Sequence, residues 1–68
     1  MIKTLKLPQL GERIVVFGLE NFQATVSGVE WVPSESRYKI HLDWGEFGTS
    51  HVYHHDEETS WKRYLNIN

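Results

Sequence analysis

The stretch Tyr38-Lys39-Ile40-His41-Leu42-Asp43-Trp44-Gly45-Glu46-Phe47-Gly48-Thr49-Ser50-His51-Val52-Tyr53 decides the fold. Tyr38, Ile40, Leu42 and Trp44 alternate with Lys39, His41 and Asp43. Alternation of apolar and polar residues with a period of two is the signature of a half-buried β-strand, because successive side chains leave a pleated chain on opposite faces. Gly45 and Gly48 interrupt the pattern, and a second β-prone run, Thr49 to Tyr53, follows. The stretch is therefore read as a hairpin with aromatic residues gathered at its turn.

Upstream, Arg13 to Phe17 is a β-branched apolar run and reads as the first strand. Gly18 to Asn21 reads as a turn. The run from Phe22 to Val32 changes phase: Phe22, Ala24 and Val26 share one face, whereas Val29 and Trp31 fall on the other. A β-bulge at Ser27-Gly28 would reset the phase and bend the strand. Residues 1–10, punctuated by Pro8, read as an extended lead-in. Downstream, Asp56-Glu57-Glu58 precedes Trp61-Lys62-Arg63. Acids before and bases after suit a short helical or 3-10 turn capped by Asp56, with Trp61, Tyr64 and Leu65 spaced along it, and then a short last strand.

These elements define one all-β domain over residues 1–68, with the barrel over 11–67. No segment is long enough for a crossover helix, so the strands pair antiparallel. At this length, a small five-stranded antiparallel SH3-like barrel leaves the fewest exposed edges. The strand phase places Tyr38, Ile40 and Leu42 in the core, with Trp31 and Trp61 as further core residues or plugs.

Composition narrows the function classes. The chain has 68 residues, no cysteine and a net charge of −2, so disulfides and cysteine zinc sites are excluded and net charge offers no pull towards nucleic acid or anionic membranes. Ile14 to Phe17, the longest apolar run, is too short to span a bilayer. The basic N-terminus has no apolar segment behind it, so no signal peptide is read, and a cytoplasmic location is expected. Met1 gives the expectation of a complete small protein.

The order Gly11-Glu12-Arg13-Ile14-Val15-Val16-Phe17, then Asn21-Phe22-Gln23-Ala24-Thr25-Val26, then Tyr38 to Gly45 resembles Tudor-like and related SH3-like small barrels. Phe22 with Ala24 and Val26 matches an aromatic followed by Ala-x-Val, and Asp43-Trp44-Gly45 matches an Asp-aromatic-Gly turn. The resemblance covers about residues 11 to 60. It implies an aromatic cage for methylated Lys or Arg, made of Phe17 or Phe22, Trp44, and Phe47 or Tyr53, with Asp43 as the nearby carboxylate. Such a cage works by cation–π attraction of about 0.5–2 kcal/mol per ring. The chain departs from the pattern at Glu46, where Asn is common, and in the longer turn through Phe47 and Gly48.

The remaining constellations are weighed in the same way. His51, His54 and His55 run into Asp56-Glu57-Glu58, and imidazole with carboxylate suits zinc or nickel. On a strand, however, His51 and His54 point to opposite faces, so no metal or other cofactor is assigned. Arg37, Lys39, Lys62 and Arg63 form a locally basic set that could meet phosphates. No nucleophile, phosphate-loop or paired-carboxylate motif is present, so catalysis is not expected. The expected function is a non-catalytic module that binds a protein or peptide through a rim of Phe17, Phe22, Asp43, Trp44, Phe47 and Tyr53. The alternatives are a nucleic-acid-associated accessory domain using the basic set, and a structural subunit of a larger assembly whose β edge pairs with a copy of itself or with a larger partner, with Leu5, Leu7 and Leu10 of the N-terminal segment providing the contact.

Overall fold

The computed structural model describes residues 6–64. They form five strands, β1 (Arg13–Val16), β2 (Ala24–Val32), β3 (Arg37–Asp43), β4 (Thr49–Tyr53) and β5 (Trp61–Arg63). Every strand pairing is antiparallel, in a single sheet of order β4-β3-β2-β1-β5. β4 and β5 are thus the two edges. Two 3-10 turns, Gly45–Phe47 and His54–Asp56, complete the elements, and the described residues contain no α-helix. The all-β antiparallel expectation holds. Leu5 and the tail from Leu65 lie outside the described residues.

The core follows from the strand phases. Ile14, Ala24, Val26, Ile40, Leu42 and Trp61 are buried, with Val16, Val29, Trp44 and Val52 packed against them. Ile40 and Leu42 are the alternating residues of β3 that face inwards, while Tyr38 and Trp44 at its ends are half-buried. The register of β2 against β3 slips between Val26 and Gly28, where the phase change required it. The slip lets Val29 join the same core as Val26 although the two are an odd number of residues apart.

Trp31 is a correction. Expected as a core residue or plug, it is 48% exposed and lies against Tyr38 with ring centroids 4.9 Å apart. Its pair, Trp31–Tyr38, lies beyond the last β3–β4 pair, Lys39–Tyr53, and β1 covers β2 only at Ala24 and Thr25. The hairpin outruns its neighbours there, so phase alone does not bury the ring.

The tail has the expected 3-10 turn and short last strand, but their placement is a second correction. The 3-10 turn starts at His54, and Trp61 lies on a strand instead of a helical turn. Glu58 adopts a positive φ of 75° and its N–H donates to the Trp61 carbonyl at 2.6 Å, which reverses the chain. The fully buried Trp61 then donates its indole N–H to the Tyr53 carbonyl at 2.8 Å, tying β5 to the far end of β4. Arg63 donates to Glu57 at 3.0 Å and to Glu12 at 3.4 Å, and also to the Lys6 carbonyl, which anchors the lead-in beside buried Pro8.

Candidate functional site

Two turns meet at one end of the sheet, the β1–β2 connection and the β3–β4 connection. The first is folded by Leu19 N–H to the Val16 carbonyl at 2.9 Å and Phe22 N–H to the Leu19 carbonyl at 3.0 Å. The Glu20 carboxylate accepts from the Gly18 N–H at 3.0 Å, and this bond lowers the Glu20 pKa. The geometry leaves Leu19 and Phe22 outside the core, 45% and 44% exposed.

The second turn begins with an Asx-type contact in which Asp43 Oδ1 accepts from the Gly45 N–H at 2.8 Å. Trp44 N–H then donates to the Gly48 carbonyl at 2.8 Å, and Gly48 N–H to the Gly45 carbonyl at 3.1 Å. Gly48 has φ 99° and ψ −152°, a conformation essentially restricted to glycine. That conformation turns the chain into β4 and leaves Phe47 67% exposed.

Leu19, Phe22, Trp44, Phe47, Thr49 and Ser50 line an open cavity of about 350 Å³. Phe22 and Phe47 meet edge-to-face with centroids 5.3 Å apart, and the Trp44 indole N–H donates to Ser50 Oγ at 2.7 Å. The walls are apolar with two hydroxyls, and neither a carboxylate nor a histidine lines them. The two turns that bound it carry acids: Glu20, Asp43 and Glu46 are the only formally charged residues between Phe17 and Gln23 and between Asp43 and Gly48. Lys62 lies near Glu20 on β5.

Among the residues expected at a rim, Phe22, Trp44 and Phe47 are brought together, with Asp43 bracing the turn. Phe17 is 38% exposed but does not line the cavity. Tyr53 stands at the opposite end of β4, with the Arg37 guanidinium 3.4 Å over its ring and His55 stacked at 6.2 Å. Leu19, Thr49 and Ser50 are lining residues that sequence reasoning did not single out. An apolar residue inside the Gly18-Leu19-Glu20-Asn21 turn was the available signal for Leu19.

The basic set is divided. Arg37 is engaged with Glu35 at 2.9 Å as well as with Tyr53, and the Glu35 hydrogen bond raises the Arg37 pKa. Arg63 is held between Glu57 and Glu12, with its side chain only 16% exposed. Two of the four cations are thus paired within the chain, leaving Lys39 and Lys62 further apart on β3 and β5.

The histidines are also dispersed. His54 turns in between Tyr38 and Trp61 and donates to the Lys6 carbonyl at 3.1 Å. His51 faces His41 across the hairpin, with centroids 6.5 Å apart, and His55 contacts Asp56 at 3.3 Å. Among the described residues, no group of three or more His, Asp or Glu stands close enough to hold a metal ion. No helix among them is long and apolar enough to cross a membrane. No known protein family, curated protein or solved structure matches the chain.

Proposed function

We propose that this protein is a non-catalytic binding module whose recognition surface is the apolar cavity between the β1–β2 and β3–β4 turns. The observation that carries this reading is the cavity of about 350 Å³ lined by Leu19, Phe22, Trp44 and Phe47, three of which are substantially exposed. Apolar walls with a few fixed polar groups are the usual make-up of a ligand site. Exposed large apolar side chains clustered in one place also mark interaction surfaces. Ser50 Oγ is already paired with the Trp44 indole, and no acid or histidine lines the cavity to activate either hydroxyl. The partner is a protein or peptide, since aromatic anchors in a shallow groove suit an inserted side chain.

The same reading takes the sheet as a curled, SH3-like and Tudor-like arrangement. The β2 bulge and the Trp61 indole reaching the carbonyl of edge residue Tyr53 support that curl. The paired state of Arg37 and Arg63 sets the nucleic-acid alternative behind this one.

Selection of a displayed random-peptide library against the folded protein tests the proposal. Selected peptides should lose affinity on Phe47→Ala and keep it on Trp31→Ala, another exposed ring, at the other end of the β2–β3 hairpin. Peptides that respond to Trp31→Ala and ignore Phe47→Ala would sink it.

A further inference from the structure

The cavity opens beside Thr49 and Ser50, the first residues of β4, and β4 is a sheet edge. Trp44 N–H bonds the Gly48 carbonyl at 2.8 Å, so Trp44–Gly48 is a hydrogen-bonded pair. Antiparallel pairs alternate between bonded and non-bonded. With the register Leu42–Ser50 and Ile40–Val52, Ser50 and Val52 are therefore the residues that exchange bonds with β3. The N–H and C=O groups of Thr49 and His51 point away from the sheet. The Tyr53 carbonyl points the same way by the same alternation, and it is the one that Trp61 occupies at 2.8 Å. Among the described residues, the free edge of β4 is thus confined to Thr49–His51, next to the cavity, while its far end is closed by the Trp61 indole.

We propose, resting on the binding reading above, that the partner is an extended basic segment carrying one large apolar residue, which adds to β4 as an antiparallel strand. The partner residues opposite Thr49 and His51 would each exchange hydrogen bonds with them. The residue between lies directly beside Ser50, with its side chain on the Ser50 face, about 4.5–5.5 Å away at Cβ. Ser50 Oγ holds the Trp44 indole, so that side chain is directed at the cavity. Main-chain bonds to an edge with a pocket for an alternate side chain are a general mode of peptide capture. Basic character follows from the charges of the two turns, which are Glu20, Asp43 and Glu46.

A capped synthetic peptide, Lys-Thr-Arg-Leu-Arg-Thr-Lys, tests this by NMR titration of the whole protein. It should shift the Trp44 indole and the Thr49 and His51 amides. N-methylation of both arginine amides should weaken binding about tenfold or more, as two backbone donors are lost. Replacing its basic residues by Glu should weaken binding at least as much, and changing its central Leu to Ala should leave the Trp44 indole unmoved. Equal binding of the N-methylated peptide with Trp44 still shifted would overturn strand addition while leaving the cavity as the binding surface. Equal binding of the Glu version would overturn the charge assignment. A dimer in light scattering whose Thr49 and His51 amides are protected from exchange would give the edge to a second copy and overturn the proposal. No response near Trp44 to any of these peptides would overturn it too, whereas the cavity reading stands or falls with the library selection.

Discussion

Phe47→Ala separates a recognition residue from a core residue by magnitude. The ring is 67% exposed, so about a third of it is removed from water in the free protein. Full burial of a Phe side chain is worth about 1.5–3 kcal/mol, which makes the buried third worth about 0.5–1 kcal/mol. Its edge-to-face contact with Phe22, centroids 5.3 Å apart, adds about 0.5–1.5 kcal/mol. The turn itself is held by backbone bonds around Trp44, Gly45 and Gly48, which the substitution leaves intact. The expected loss of stability is therefore about 1–2.5 kcal/mol, below the total of roughly 3–10 kcal/mol expected for a domain of this size. The variant stays folded. In a complex, the exposed two-thirds of the ring would also be buried, for about 1–2 kcal/mol, so affinity for a selected peptide should fall about 5- to 30-fold. Urea unfolding followed by tryptophan fluorescence gives the first quantity, and a titration gives the second. Ile40→Ala provides the scale, since a fully buried Ile costs about 2–5 kcal/mol on truncation. A Phe47→Ala loss as large as that of Ile40→Ala, with affinity unchanged, would refute the reasoning and make Phe47 a structural residue.

Three further outcomes are expected. Gly48→Ala should destabilise by about 1–3 kcal/mol in urea unfolding, because φ 99° with ψ −152° strains any Cβ-bearing residue even though the space there is open. Trp61→Phe should cost about 1–3 kcal/mol in urea unfolding, since it removes both part of a fully buried ring and the indole bond to the Tyr53 carbonyl. The Glu20 pKa is lowered from 4.5 on folding, first by the Gly18 N–H, so its contribution is complete above about pH 4.5 and fades as pH falls through the lower folded value. The stability gap between the wild type and Glu20→Gln should therefore narrow in acid, and a gap that widens there would contradict the turn geometry.

Much of the fold was legible because its signals are local. Alternation along Tyr38 to Trp44 depends only on which face is wet, and the odd spacing of Val26 and Val29 forced a bulge that is found between Val26 and Gly28. What was not legible depends on how far neighbouring strands extend. Trp31 has the phase of a core residue but lies where neither β1 nor β4 reaches. Trp61 and Tyr64 have helical spacing, yet Glu58 at φ 75° reverses the chain and sets Trp61 on a strand. The site divides similarly. Trp44 and Phe47 were visible as aromatics at a glycine turn, whereas Leu19, Thr49 and Ser50 became lining residues only when two connections distant in sequence met at one end of the sheet. Tyr53 shared the hairpin with Trp44 but not its end, because strand rise separates Thr49 from Tyr53 by about 13 Å.

The central claim is that recognition occurs at the cavity around Trp44, and the three indole N–H resonances of the chain read it directly. Trp44 lines the cavity, Trp31 lies exposed at the far end of the β2–β3 hairpin and Trp61 is fully buried. On saturation with a library-selected peptide, the Trp44 indole should shift while those of Trp31 and Trp61 hold still. A bound peptide that moves Trp31 and leaves Trp44 in place would contradict the account.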